Sequence, residues 1–517
     1  MVPGQQISQP EMTQCAASPQ DGAVAEPHAS ECWGWLLDGA IFFFLGLFAV
    51  LLPHSIKGSQ HAWQIAFLLW LSKLAVERKR PLPQPLSAPL LAYVTLSGIS
   101  SMLSPDPYLS WDRMKIVCLV LVGIVFAQNL KRLSQVRVLA FLLVLSGLAA
   151  VGFTAWQYTY GVGVRVAYIL PTSPLEQEAH IHGDYMITRI DGREVHTAVQ
   201  LERAVLQSPP GSILYIDYLR GYPFHKHQTV VRRERFIASG LDTQNLQFVR
   251  AQPFRAQGTL GHYVVFAAML MQIGCLTWAM LLSMQPRQTG LRVLLAVIFL
   301  AFTAAICATE TRAALGGLAA GCFVAVLMLA GRRGRIGATA PLAVLVVAGA
   351  LWIQHTRGFH LVDSKDPGTH FRTLMWEDGL RLVRQHPWFG VGMETIRIHW
   401  PEWNIRAFTL YHDQSHFHSD VIQIAVERGV PALAAWLWFV VAYIFFLLRL
   451  ARRARQHSRF ASGVVVGVLA SLVAFLVPGA LHYSLGEESL VMGLFFYFGL
   501  AVAIDRMLTE PGAVDVP

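Results

Sequence analysis

The chain has 517 residues, 54% of them hydrophobic and 14% charged, with a formal net charge of +9. Soluble domains carry about a quarter charged residues, and uninterrupted apolar runs of roughly 18 or more residues mark membrane-crossing helices; together these exclude an ordinary soluble enzyme. The positive balance does not mark a nucleic-acid binder, because the basic residues lie in short clusters between apolar runs, where they orient spans in a bilayer.

Residues 1–31 are polar and poor in helix formers, and no basic stretch runs directly into an apolar core. They read as a disordered cytoplasmic tail without a cleavable signal peptide. Of six cysteines, Cys15 and Cys32 precede the first span and Cys118, Cys275, Cys307 and Cys322 lie within spans. The long polar segments have none, so neither a disulfide framework nor a thiolate metal site is expected.

Apolar runs near 34–52, 61–76, 86–103, 113–128 and 136–156 give five expected spans within 32–156. Runs near 260–284, 291–309, 313–330 and 337–355 give four more within 260–355, and 431–449, 460–481 and 489–505 complete twelve within 431–517. The basic clusters are Arg78-Lys79-Arg80, Lys131-Arg132 with Arg137, Arg287 with Arg292, Arg332 to Arg335, and the tract from Arg449 to Arg459. All fall in even-to-odd connections, as the positive-inside rule requires when both termini are cytoplasmic. The expected fold class is thus an all-α polytopic membrane protein of about twelve transmembrane helices. Two polar segments, 157–259 and 356–430, are left on the outer face, which is the periplasm for a bacterial inner membrane.

The first outer segment reads as a small α+β domain over about 161–235. GVRVAYILP, MITRIDG and PPGSILYIDYLRG are strand and turn patterns. TAVQLERAVLQ is a helix opened at Thr197 with Gln200 at capping-box spacing. The order SPLEQEAHIHGDYMITRIDGREV…PPGSILYIDYLR resembles a bacterial PDZ-like domain. That resemblance implies a periplasmic protein partner, bound by adding an extended chain to a sheet edge. Gly161 to Val164 is the candidate carboxylate-binding loop, and a docking module without peptide ligand is the alternative.

The chemistry-bearing residues stand at outer span ends or in outer loops. Arg255 lies in FRAQGTLGHY, Arg312 in TETRAALGG, and Arg372 and Trp376 open RTLMWEDGLRLVRQHPWFGVG. The stretch HDQSHFHSDVIQIAVERGVPAL gathers His412, His416, His418 and Asp420 ahead of a short helix. Val421, Ile424 and Ala425 are expected on one face of that helix, with Gly429 ending it and Pro431 starting span ten. Asp420 reads as the helix cap or as a group orienting His418. His412 and His416 read as loop residues that shape the site. A metal held by His412, His416, His418 and Asp420 has suitable ligand types but no recognised spacing, so no metal and no cofactor is assigned.

Four of these motifs, in this order, resemble the O-antigen ligase and polymerase superfamily. RTLMW…HPWFGVG is similar to that family's large periplasmic loop. SHFHSD with ERGVPAL is similar to its HxHN…ExGxxGxx element, TETRAA to its TxSRGA turn, and FRAQGTLGHY to its FRAxGTFxHPN entry. Ser419 and Glu310 depart from the pattern, and the 157–259 insertion is not standard for it. The resemblance implies glycan transfer from an undecaprenyl diphosphate donor to an acceptor hydroxyl on lipid A-core, another polysaccharide or a protein. Under it, Arg312, Arg372 and Arg255 bind the diphosphate, since arginine forks are permanently charged and bidentate. His418 acts as general base, its place at a helix N-terminus keeping the imidazole neutral. His416, Asp420 and Trp376 support it. A repeat-unit polymerase and a protein oligosaccharyltransferase remain open within the same class. A lipid-linked glycan transporter is the non-enzyme alternative; transporters place binding residues at mid-membrane, whereas these cluster at one face. A PDZ-bearing protease is disfavoured because neither HExxH nor GxSxG occurs.

Overall fold

In a computed structural model, the described residues are 26–183, 185–220, 225–240, 246–251, 255–357, 367–411 and 416–509. The expected tail up to residue 25, and His412, lie outside them. The described chain is mostly helical and carries one small sheet.

Among the described residues, nine helices are long and apolar enough to cross a membrane. They are Gly34–Leu51, Leu133–Tyr160, Tyr263–Ser283, Thr289–Ala308, Arg312–Leu329, Gly334–Trp352, Asp420–His457, Arg459–Gly479 and Glu488–Thr509. The other three expected runs form helices that fall short of that standard. Ile56–Glu77 is long enough, but Gln60, His61, Gln64 and Lys73 dilute its hydropathy. Ser87–Met102 has only 16 residues, and the fourth run is broken into Pro107–Val117 and Val120–Asn129. Lys73 is not stranded in the apolar core: it is ion-paired to Asp38 of the first helix.

The centre of the bundle is Tyr263–Ser283, Arg459–Gly479 and Glu488–Thr509, buried over 89%, 83% and 89% of their most apolar windows. By contrast, Gly334–Trp352 is buried over 11% and sits at the edge. Small residues let the central helices close up. A Cβ at Gly317 would lie 2.7 Å from the Ala474 carbonyl oxygen, and one at Gly321 would lie 2.4 Å from that of Ala470.

The sheet comprises β1 Gly163–Ile169, β2 Met186–Ile190, β3 Arg193–Glu194, β4 Ile213–Arg220, β5 His225–Arg232 and β6 Leu246–Ala251. Its order is β5-β4-β2-β1-β6, with β3 on β2, and every pairing is antiparallel. Helix Ala198–Gln207 buries Leu201 and Val205 against it, as the capping-box reading expects, and Thr197 accepts from the Gln200 amide at 3.2 Å. The sheet reaches beyond residue 235, because β6 pairs with β1 along its length. Gly163 and Val164 are therefore enclosed, with β2 on one side and β6 on the other. Gly161 and Val162, the first half of the candidate carboxylate-binding loop, lie before β1 and line a cleft.

The second outer segment has an apolar core of its own, built from Phe371, Met375, Leu382, Ile405, Phe408, Phe417 and Val426 among others. Asp378 is buried within it and ties helix Pro367–Gln385 to Arg406–Tyr411. It accepts from the Arg406 amide at 2.8 Å and from Arg406 Nε at 2.9 Å.

Candidate active site

The site is assembled where HPWFGVG wraps the short helix that begins at Asp420. Val391 and Gly392 donate their amides to the carbonyls of Val426 and Glu427 at 2.9 and 2.8 Å, and Val430 donates to Pro387 at 2.8 Å. Such backbone-to-backbone contact leaves no room for side chains. A Cβ at Gly390 would sit 2.4 Å from the Val426 oxygen, and one at Gly429 would sit 2.2 Å from the Trp388 oxygen. Gly429 also carries φ +82°, a kink that separates residues 420–428 from the long helix after it, so the glycine acts as expected. Val421 departs from expectation: it is exposed, while Ile424 and Ala425 are buried.

A buried polar chain fixes the loop above this helix. Glu427 and Arg428 are 1% and 3% exposed and form an ion pair at 3.6 Å. Arg428 donates to the hydroxyls of Tyr93 and Tyr483, the latter at 3.1 Å. Gln423 donates to Glu427 at 2.8 Å and accepts from the Phe417 amide at 2.7 Å. A buried pair of this kind needs further hydrogen bonds to offset its desolvation, and those of Glu427 run through Gln423 to the residue beside His418. The backbone of His418 has φ +50°, a left-handed conformation uncommon for side chains other than glycine. The Phe417 bond and a 3.1 Å bond from the His418 amide to His416 Nδ1 hold it.

Three imidazoles meet there. The His416 ring centroid lies 4.2 Å from that of His418 and 5.1 Å from that of His482, and His418 and His482 are 5.9 Å apart. One nitrogen from each falls within 4.8 Å of the others. Because His416 Nδ1 accepts from the His418 amide, its own proton belongs on Nε2. Among the described residues, both ring nitrogens of His418 and Nε2 of His482 are buried without a hydrogen-bond partner. Burial pushes the proton affinity of all three rings down. For His418 the pKa falls to about 3, through burial first and then the neighbouring His482 and Arg372 charges. For His482 it also falls to about 3, through burial, then His416, His262 and Arg372. His416 is lowered well below the usual histidine value for the same reasons. All three are neutral near pH 7.

Of the predicted arginines, Arg372 lies close enough for its charge to act on all three histidines. Arg312 opens a helix whose Gly317 packs against Pro478, one turn before His482, so it stands at the same end of the bundle. Arg255 is already engaged: its Nε is 3.3 Å from Glu310 Oε2, and its guanidinium lies over the Tyr263 ring at 4.5 Å. Glu310 thus pairs with Arg255, and its φ of +54° turns the chain into Arg312. Asp420 does not cap its own helix and does not touch His418. It accepts from the Leu485 amide at 2.9 Å and holds the turn that carries His482. Trp376, a turn after Arg372, keeps its indole nitrogen buried with no hydrogen-bond partner among the described residues.

Residues 295–437 match the family model described as O-antigen ligase. Over that stretch, little more than a quarter of its 517 residues, the chain is similar to O-antigen ligases. The matched stretch contains Arg312, Arg372, Trp376, His416, His418 and Asp420 and stops short of Arg255 on one side and His482 on the other. No curated protein matches the chain. Sequence reasoning missed His482, Tyr93 and Tyr483 in its site. The signal for His482 was slight: a His-Tyr pair in LHYSLGEES, the turn between the last two apolar runs.

Proposed function

We propose that this protein is a ligase- or polymerase-type membrane enzyme of the O-antigen ligase superfamily, which transfers a glycan from an undecaprenyl diphosphate donor to an acceptor hydroxyl at the periplasmic face of a bacterial inner membrane. The acceptor class is lipid A-core or another polysaccharide. The observation that carries the reading is a neutral, buried His418 imidazole, with neither ring nitrogen hydrogen-bonded among the described residues, close enough to Arg372 to feel its charge.

In this mechanism Arg372 and Arg312 hold the diphosphate, the group that leaves with the bonding electron pair. Arg255, matched by Glu310, shapes the turn that presents Arg312. His418 takes the acceptor hydroxyl proton as the oxygen attacks the anomeric carbon. A base with a pKa near 3 is weak, but the anionic donor corrects that: its charge offsets Arg372 and raises the proton affinity of the imidazole beside it. Donor binding therefore activates the base. The sheet domain, in its PDZ-like reading, does no chemistry and positions a partner or substrate.

His418→Ala and His418→Asn are expected to lower transfer by about 10²–10⁴-fold, the usual contribution of a general base. Asn tolerates a positive φ, so His418→Asn separates lost chemistry from a disturbed loop. The assay uses purified enzyme with a lipid-linked donor; near-normal transfer by His418→Asn overturns the assignment.

The three histidines support a second reading, because neutral imidazoles this close are a plausible divalent-metal donor set. The Arg372 charge opposes a cation there. A metal mechanism requires chelation to abolish transfer and metal to restore it, with His416, His418 and His482 about equally essential. The general-base mechanism requires indifference to chelator.

A further inference from the structure

A cleft bordering the sheet domain lies away from the histidines. It has a volume of about 590 Å³ and is bounded by the face of β2, β4 and β5, the end of helix Leu133–Tyr160, and Gln257 to Gly261. That volume sits within the ~300–1,000 Å³ typical of small-molecule sites.

Its chemistry is mixed in a particular way. On the helix side Trp156 is 42% exposed and stacks on Phe153 at 5.6 Å, with the His196 ring edge-on at 5.7 Å. On the sheet side Tyr218 stacks between Tyr185 and His227, at 5.3 and 5.5 Å. Between these faces the polar groups are balanced. Arg189 is paired with Glu194 at 2.8 Å, and Asp217 accepts from Gln228 at 2.8 Å. A phosphate-bearing head group calls for unmatched cations, which this cleft does not concentrate. An apolar chain calls for an unbroken apolar lining, which it also lacks. A sugar ring fits both features, with a C–H face to lie on an aromatic ring and hydroxyls that donate to carboxylates and accept from guanidinium and amide groups.

Position links the cleft to the chemistry. The segment that lines it, Gln257 to Gly261, lies between Arg255, which pairs with Glu310, and His262, whose charge reaches His416 and His482. Gly258 has φ +58°, and a Cβ there would lie 2.5 Å from the Phe266 ring. Thr259 donates to the Pro53 carbonyl at 3.0 Å and bonds His54 Nδ1 at 3.0 Å, so this segment is pinned to the bundle.

We infer that the cleft between the sheet domain and the outer end of helix Leu133–Tyr160 is an oligosaccharide-binding subsite that holds sugar residues away from the reacting centre. This rests on the glycan-transfer reading for its purpose, but binding is measurable without turnover. The probe is the surface oligosaccharide mixture released from the native bacterium by mild acid, titrated against full-length protein in nanodiscs. Wild type and His418→Ala are expected to bind it equally. Trp156→Ala should bind about tenfold more weakly, and Trp156→Phe should recover most of the loss because it restores a stacking face. No binding by wild type, or equal binding by wild type and Trp156→Ala, overturns the subsite and reduces Trp156 to an interfacial anchor. Transfer by His418→Asn at the wild-type rate would defeat the catalytic reading and leave a Trp156-dependent binding result standing.

Discussion

Burial is the main reason that His416, His418 and His482 stay unprotonated, and Arg372 is the permanent charge that adds to it at all three. Removing a charge-assisted hydrogen bond costs about 1.5–3 kcal/mol, so Arg372→Ala should lower transfer roughly 10- to 100-fold. Arg372→Lys should rescue part of it, a point charge being unable to form the bidentate fork. Full activity in Arg372→Ala would reduce the residue to a surface charge. The histidines also make stability depend on pH. Unfolded imidazoles titrate at about 6.5, whereas folded His418 and His482 titrate at about 3. Between those values the unfolded chain binds protons that the folded chain refuses, so stability present above pH 6.5 is lost as pH falls toward 3. The thermal midpoint should therefore drop on acidification from pH 7.5 to 5, and drop less in His482→Gln. An identical pH slope in that variant would show that His482 does not carry the effect.

At the scale of elements, the site depends on how closely the HPWFGVG turn and the helix beginning at Asp420 approach each other. Gly390 has φ +67°, and a Cβ there would collide with the Val426 and Glu427 backbone. Gly192 has a similar φ of +75° but nothing within 4 Å. Backbone strain of this kind costs about 1–3 kcal/mol, and only Gly390→Ala adds a backbone collision to it. The thermal midpoint should therefore fall further for Gly390→Ala than for Gly192→Ala. Equal midpoints would mean that the turn can shift without consequence. The periodicity of the helix beginning at Asp420 is legible in sequence, as are the roles of Gly429 and Pro431. The sheet domain was legible in part: β1, β2, β4 and the helix Ala198–Gln207 were read, and β3 and β5 were not. Nor was its last strand, because Leu246–Ala251 belongs to the sheet only through pairing with β1, some 80 residues earlier.

For the whole molecule, the arrangement of basic clusters makes a topology that can be tested directly. Reporter fusions at Gly192 and Gly368 should read periplasmic, and fusions at Arg80 and Arg333 cytoplasmic. A cytoplasmic reading at Gly192 would place the sheet domain on the wrong side for any periplasmic transfer. The same experiment bears on the early helices. Ile56–Glu77, Ser87–Met102 and the broken pair Pro107–Val117 and Val120–Asn129 must together carry the chain across an odd number of times if the N-terminus is cytoplasmic and the sheet domain periplasmic. A short or polar helix can do so when neighbours satisfy its polar groups, as Asp38 does for Lys73.

By itself the sequence determined a mostly helical chain rich in membrane-length apolar runs, the order of its apolar helices and the presence of a small sheet-bearing insertion. These properties are local: an apolar run, a capping spacing or a glycine punctuating a helix is encoded within a few residues. Tertiary structure alone decided which groups meet. His482 and His418 are far apart in sequence, and only the packing of the last helices brings their rings 5.9 Å apart. The fold likewise sets Arg255 beside Glu310 and Asp420 against the turn bearing His482, neither of which is written in the local sequence. A charge in a loop has several possible partners, and its role follows from whichever group the fold buries beside it, because burial turns a weak solvated interaction into a strong, oriented one.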